Sequence, residues 1–490
     1  YLLFRELTGQ GKNCIPVVKA NAYGLGVLEV VDTLLSIDDP QRDFFVYSLE
    51  EACDIRLNFG DRVGSIYVLR GLITGQENIF VKYRATPVIN SLEQLKIWSE
   101  YAQNIDRELD AVLQFNTGIN RSGIQANLAP YFRDFAADRK NRINLAMVMG
   151  HVGCQCPLDS SLGQQYTVKE LDNFKKIASS FPYVRKSLAE TRCALYIAGS
   201  LYDCSRIGIG LFTFEREKIP KIGTALTIVC PLECDEKTDE VYINFGKRNG
   251  LAEEYGRNGF VYVDGKKIRV ERLEDYRTIL DFDGDVTSLA STAALLVGHL
   301  EGSHIDGFEF SRMNGSIPEE FFATILAVNR DSCSLKIGTR GCKFDAKNRK
   351  TPPSGLSEIS VEFDSEGRLV KLTSVVSEKR IVDEDGFCGY GATELVRRGD
   401  LLITVSIGYL GGFSRRISGT GARIFVKNSG GKIFPCVLCG VVSMDQICAR
   451  TNRENFDEIE IGDRVVVIDD SAGIGDNWSR AMINIPLLLV

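Results

Sequence analysis

Lys19 stands where a lysine is costly. It closes the run Pro16-Val17-Val18-Lys19, and Ala20-Asn21-Ala22-Tyr23-Gly24-Leu25-Gly26 follows it. The pattern predicts a short buried strand that ends on Lys19 and opens into a tight glycine loop. An ammonium buried without a partner is expensive. Two readings relieve that cost. The aliphatic stem carries the charge to the surface, and the glycines only turn the chain. Alternatively the amine, its pKa lowered by burial, forms a Schiff base with an aldehyde cofactor. In the second reading the Tyr23 hydroxyl and the N–H groups of the loop suit a phosphate.

The elements that must hold Lys19 are legible in the first 212 residues. Apolar runs at 15–18, 44–47, 65–69, 86–89, 111–115, 145–149, 194–197 and 207–212 predict strands. Amphipathic stretches at 28–37, 49–59, 92–101, 128–139 and 162–180 predict helices between them. Strand, helix, strand at this spacing argues for parallel βαβ units. About eight strands suggest a barrel, whose chemistry collects at the C-terminal strand ends, where Lys19 falls.

After Phe212 the texture changes. Short strands are predicted at 224–229, 241–245, 259–263 and 267–270, and helical texture at 287–300 and 319–326. Alternation returns at 359–363 and 369–376, and the stretch 401–468 is strand-rich. The expected fold class is α/β + β: an N-terminal (β/α)8 TIM-type barrel at 1–215, then a mainly antiparallel β C-terminal domain with a long insertion. The insertion and the start of that domain take 216–385, and 386–490 completes it. Asn244-Phe245-Gly246-Lys247-Arg248-Asn249-Gly250-Leu251 with 259–270 echoes Ser406-Ile407-Gly408-Tyr409-Leu410-Gly411-Gly412-Phe413 with 421–442. The echo is either an internal repeat, with Lys247 where the other copy has Tyr409, or two ordinary hairpin runs of similar composition.

Composition excludes several classes. A chain of 490 residues fits two or three domains, and 44% hydrophobic with 25% charged residues is globular and soluble. The net charge of −7 argues against a nucleic-acid partner. No apolar run has the length of a membrane span. The 14 cysteines are scattered, and Cys436 and Cys439 lie in an apolar run, which suggests buried free thiols in a reducing cytoplasm. With only three histidines, a histidine-rich metal site is not expected.

The Lys19 run resembles the pyridoxal-phosphate lysine motif of the alanine racemase family. Further stretches resemble that family in the same order: Asn116-Thr117-Gly118-Ile119-Asn120-Arg121-Ser122-Gly123, Met149-Gly150-His151-Val152, Ala198-Gly199-Ser200, Ser205-Arg206-Ile207-Gly208-Ile209-Gly210-Leu211, Gly389-Tyr390-Gly391-Ala392-Thr393, the Tyr409 motif, and Val441-Val442-Ser443-Met444-Asp445-Gln446. The resemblance implies pyridoxal 5'-phosphate as cofactor, an amino acid as substrate, and interconversion of L- and D-alanine by two bases. Lys19 would hold the cofactor and serve one face of Cα, and Tyr409 the other. Tyr23, His151, Ser200, Arg206, Gly208 and Ile209 would contact the cofactor. Arg121, Met444 and Asp445 would face the substrate. Arg206 would donate to the pyridine nitrogen and, keeping its own proton, leave that nitrogen unprotonated.

In the family the tyrosine comes from the partner subunit, so a head-to-tail homodimer is implied. So is a cytoplasmic role in making D-alanine for peptidoglycan. A racemase for serine or a basic amino acid, or a catalytically impaired homologue that binds the cofactor, are the alternatives. Five positions depart from the family pattern: Gln114 where many members carry a modified lysine, Gly199 for an asparagine, Ile207 for a proline, Gly411 for an aspartate, and Ile485 for a tyrosine.

Overall fold

The computed structural model describes residues 1–23, 26–37, 41–153, 161–212, 226–235, 237–244, 246, 259–263, 266–282, 292–297, 334–337, 350–353, 359–363, 365, 369–409 and 417–469. Cys154, Cys156, Phe245, the stretch 247–251, Gly411, Ile485 and the helical texture at 319–326 lie outside them.

The first half is a parallel barrel. Its strands are β1 (Asn13–Pro16), β2 (Phe44–Val46), β3 (Ile66–Val68), β4 (Ala85–Ile89), β5 (Leu109–Asn116), β6 (Ile143–Met149), β7 (Lys186–Ser187) and β8 (Cys204–Ile207). They pair in the order β1-β8-β7-β6-β5-β4-β3-β2, all parallel. The ring closes just past β1. There Val17 bridges Phe45, and the Val18 N–H donates to the Phe45 carbonyl at 2.8 Å. Ile15, Phe45, Tyr67, Val88, Val112, Met147 and Cys204 come from seven strands and fill the interior, so the barrel is a packed core. Helices fall where amphipathic period predicts them. The helix Leu49–Phe59 starts with a capping box, Ser48 and Glu51 each satisfying the other's backbone, and buries Leu49, Ala52, Cys53, Ile55 and Phe59.

Three sequence expectations change. Residues 194–197 are not a strand: Thr191–Tyr196 is a short helix, capped by the Glu190 carboxylate, which accepts from the N–H groups of Arg192 at 3.1 Å and Cys193 at 2.8 Å. The seventh barrel strand is instead Lys186–Ser187, two residues with no apolar run to betray them. The eighth strand ends at Ile207 rather than running to 212, because Gly208 turns the chain into a 3-10 turn, Ile209–Leu211. Within 287–300, the segment Thr292–Val297 is a strand, not a helix. A short apolar run has no period to separate the two states, and six antiparallel partners decide it.

The second half is antiparallel. One sheet contains β9 (Leu226–Cys234), β10 (Val241–Ile243), β11 (Phe260–Val263), β12 (Lys266–Leu273), β13 (Thr278–Asp281), β14 (Thr292–Val297) and β15 (Ser334–Ile337). The other contains β16 (Ser360–Phe363), β17 (Leu369–Ile381), β20 (Leu401–Val405), β21 (Arg423–Lys427), β22 (Ile433–Cys439), β23 (Ile447–Thr451) and β24 (Arg464–Asp469). Between β17 and β20 a small hairpin, β18 (Gly386–Cys388) and β19 (Glu394–Val396), projects from the second sheet. Cys436 and Cys439 are buried free thiols. Among the described residues no helix is long and apolar enough to cross a membrane.

The second sheet is locked to the barrel through the loop that follows β5. The Asn120 side-chain amide donates to the Phe387 carbonyl at 3.0 Å, Thr404 Oγ1 donates to the Arg121 carbonyl at 2.5 Å, and the Gly123 N–H donates to Glu378 at 3.1 Å. Farther out, the Lys169 ammonium meets the Glu384 carboxylate at 2.9 Å.

Candidate active site

Lys19 leaves β1 at the C-terminal mouth of the barrel, and the chain then does something rare. Ala20, Asn21, Ala22 and Tyr23 have φ of 59°, 53°, 54° and 57°, one left-handed turn with no glycine in it. Each such residue costs about 1–2 kcal/mol, so something must hold the turn. Glu51 does. One carboxylate oxygen accepts from the backbone N–H groups of Ala20 and Asn21, the other from Tyr47 at 2.8 Å and Ser48 at 3.1 Å. Burial, and after it the charge of Asp445, push the Glu51 carboxyl up to about 7. Glu51→Ala would leave four donors without their acceptor. The expected loss is on the order of 3 kcal/mol, read as a lower urea midpoint at unchanged slope.

The Lys19 ammonium meets Asp445 Oδ2 at 2.5 Å, and both side chains are largely buried. Asp445 belongs to the turn between β22 and β23, so the second sheet reaches over the barrel mouth. Between them lies a cleft open to solvent and lined by Lys19, Tyr23, Gln114, Arg121, His151, Arg206, Gly208, Ile209, Tyr390, Tyr409, Met444 and Asp445, among others. Ten of the eleven residues singled out from sequence are therefore brought together. Ser200 is the exception. It is buried away from the cleft, and its hydroxyl donates to the carbonyls of Ile197 at 2.7 Å and Cys193 at 3.1 Å. Glu190, Thr191 and Arg192 line the cleft in its place, and Thr191 Oγ1 accepts from the Gly210 N–H at 3.1 Å.

Both arginines are fixed. The Arg206 guanidinium donates to Ser187 Oγ and to the Gly150 carbonyl, each at 2.6 Å. Burial pushes it down to about 10, which still keeps its proton at neutral pH. Arg121 stacks over the Tyr390 ring at 4.8 Å and donates to Ser443 Oγ at 3.1 Å. Burial alone would pull Arg121 down, and Tyr390, Cys448 and Asp445 together hold it above its ordinary value. Its Nε is buried with no partner among the described residues. The Tyr23 hydroxyl lies against Gly208, where a Cβ would come within 1.9 Å of it, so the backbone there must stay bare.

His151 contacts Tyr390: its Nε2 is 2.9 Å from the Tyr390 hydroxyl. Burial, then the charges of Arg121, Arg206 and Lys19, hold the imidazole well below its usual value, so it stays neutral. The sign of the stability effect follows. The unfolded chain takes up a proton near pH 6.5 that the folded chain refuses, so stability present above that pH is lost as pH falls. Between about pH 7.5 and 5.5 the melting temperature of the wild type is expected to fall more than that of His151→Gln, with both followed by circular dichroism.

Sequence reasoning missed Glu51, Thr191 and Tyr390 as site residues. Glu51 had a local signal, the Ser48-x-x-Glu51 box, and Tyr390 lay inside a quoted motif.

The alanine racemase N-terminal domain family matches residues 1–215, and the alanine racemase C-terminal domain family matches 369–486. The chain belongs to the alanine racemase family. The alanine racemase of Rickettsia canadensis is 27% identical over 330 residues, covering 63% of this chain and 88% of that protein. That of Rickettsia bellii is 33% identical over 274 residues, covering 52% and 65%. Among solved structures, alanine racemase from Bartonella henselae, which carries covalently bound pyridoxal phosphate, superposes with a TM-score of 0.52 at 20% identity, covering 66% of this chain and 92% of that one. Alanine racemase from Clostridium difficile in complex with cycloserine gives 0.53 at 18%, covering 76% and 93%. These likenesses confirm a racemase-type barrel followed by an antiparallel β domain. The stretch 216–368 lies between the two family matches.

Proposed function

We propose that the chain is a pyridoxal-phosphate-dependent racemase that interconverts L- and D-alanine, with Lys19 and Tyr409 as the two bases. The observation that carries the reading is that both line one cleft, with the two fixed guanidinium groups of Arg121 and Arg206 in its wall.

The donor set suits the cofactor. Lys19 is the amine that would hold it. Tyr23, with the bare backbone at Gly208 and Ile209 and the Thr191 hydroxyl, forms a cradle for a phosphate. Arg206, protonated and anchored by Ser187 and Gly150, is placed to donate to a ring nitrogen. When bound, pyridoxal phosphate supplies an electron sink that makes Cα–H acidic enough to remove. The chain does the rest. Arg121, in the wall of the cleft, is set to receive the substrate carboxylate as a charge-assisted donor. One base takes the Cα proton from one face and the other returns a proton to the opposite face, which inverts the centre. Asp445 accepts a hydrogen bond from the Lys19 ammonium and so can fix where that amine rests.

The resemblance extends the reading to a cytoplasmic enzyme that supplies D-alanine for peptidoglycan. The test is a comparison of L-alanine, L-serine and L-lysine with the cofactor-loaded chain, followed by optical rotation. Decay of rotation fastest for alanine supports the proposal. Decay confined to serine or lysine would replace its substrate, and no decay with any of them would leave a binding homologue.

A further inference from the structure

The left-handed turn after Lys19 carries two residues that the proposed reading aims at the cofactor. Lys19 opens it and Tyr23 closes it. The spacing between the amine and the phosphate contact is therefore set by Ala20, Asn21 and Ala22. Four successive residues in the left-handed region, none of them glycine, do not keep that shape by themselves. A turn free to unwind would move Lys19 and Tyr23 independently, and a group placed 1 Å out of line is enough to slow a reaction strongly.

Part of the support is local. The Ala22 N–H donates to the Val18 carbonyl at 2.9 Å, and Asn21 Oδ1 accepts from the Val27 N–H at 2.9 Å. At the far end the Tyr23 ring packs against Phe212, with centroids 5.6 Å apart. At the Lys19 end the support is distant in sequence: the N–H groups of Ala20 and Asn21 donate to Glu51 Oε1, the second of them at 3.3 Å.

Glu51 is held at both ends of its helix, Leu49–Phe59. At the start, Ser48 Oγ accepts from the Glu51 N–H at 3.2 Å. Five residues on, the Arg56 guanidinium donates to the carbonyls of Gly60, Val63, Gly64, Tyr83 and Arg84. Those carbonyls lie in the loops that lead into β3 and β4, at the bottom of the barrel. The helix is thus pinned below, and its first turn presents Glu51 at the mouth.

The side chain separates two roles. A capping box is satisfied by glutamate or glutamine alike. Here Oε2 serves the cap, accepting from Tyr47 and Ser48, and Oε1 serves the turn. A glutamine has one acceptor oxygen and an NH2 group that only donates. It can keep the cap or the turn, not both. The cap partners are three and four positions away and the turn is thirty, so the turn is what a glutamine gives up.

We infer that Glu51 is a positioning residue for the reaction: its second carboxylate oxygen holds the left-handed turn and so keeps the Lys19 amine and the Tyr23 hydroxyl in register. The inference rests on the racemase reading for what Lys19 and Tyr23 do, and not for what Glu51 holds. The contacts that carry it lie within the barrel and its helices.

Glu51→Gln in the full chain is the test. Amide hydrogen exchange, read by mass spectrometry before cofactor is added, is expected to rise about tenfold or more in the peptide that holds Ala20 and Asn21, and to stay unchanged in β4 and β5. Unchanged exchange in that peptide would overturn the inference, as would an equal rise in every strand, which would make Glu51 a residue of general stability. Pyridoxal phosphate is then added, and its visible band counts the loaded sites. Racemisation of alanine per loaded site is expected to fall about 10–100-fold, with weaker retention of the cofactor. A rate per loaded site equal to that of the wild type would overturn the inference, because a merely structural residue changes how many sites load and not how each one works. Adding Ala20→Gly to Glu51→Gln is expected to recover part of that rate, since glycine enters the left-handed region without steric cost. No recovery would assign the loss to something other than the turn. If the wild type forms no band with the cofactor, the racemase reading fails, while the exchange measurement still reports whether Glu51 holds the turn.

Discussion

Lys19→Ala is expected to lose both the visible absorbance band of the lysine-bound cofactor and racemisation, the latter by more than about a thousandfold. Two roles vanish with one amine, the attachment of the cofactor and one of the two proton transfers. Some stability is lost as well, because the largely buried Asp445 carboxylate is left without the ammonium it accepts from, its ion-pair partner among the described residues. A cooperative unfolding transition that survives with the band gone would therefore locate the functional defect at the amine. A band that persists in Lys19→Ala would assign the cofactor lysine elsewhere and remove the basis of the mechanism.

Tyr409→Phe is expected to lower racemisation by about 10²–10⁴-fold, the usual contribution of a positioned acid or base. The two enantiomers of alanine are equally stable, so kcat/KM must fall equally in both directions. The asymmetry lies in the half-reaction. With Lys19 still in place, the enantiomer that presents its Cα–H to Lys19 should go on exchanging that hydrogen with solvent, while the other stops. Proton exchange followed by NMR in deuterated water distinguishes them. Equal, mild losses of exchange in both enantiomers would mean that Tyr409 is no base. The cofactor band should survive, since the cradle proposed for the phosphate, Tyr23 with Gly208 and Ile209, does not include Tyr409.

Much of this was legible in the chain because buried parallel strands write themselves as apolar runs. The runs at 44–47, 65–69 and 86–89 hold the strands Phe44–Val46, Ile66–Val68 and Ala85–Ile89. The seventh strand shows why the reading failed locally. Lys186–Ser187 is two polar-bearing residues between turns, so the apolar run 194–197 was the better strand on pattern alone. That shift carried the small-residue turn past Glu190-Thr191-Arg192, which line the cleft, to Ser200, which does not. Lys19, Arg121, Arg206, Tyr409, Met444 and Asp445, which line one cleft, were singled out because they sit in dense motifs. Glu51 was not, because it acts on backbone N–H groups from two loops, and no residue pattern announces a left-handed turn without glycine. The strand order of the antiparallel sheets was invisible for a related reason: alternation shows that a strand exists, whereas strand order is a set of distant pairings.

The central claim, inversion at Cα of alanine by two bases in one cleft, is tested most directly by feeding L-alanine to the cofactor-loaded wild type in deuterated water. The account predicts D-alanine that carries deuterium at Cα and a final equal mixture of enantiomers. A cofactor band that L-alanine perturbs, with no D-alanine formed and no deuterium taken up, would contradict it and leave a protein that binds the cofactor without turning it to racemisation.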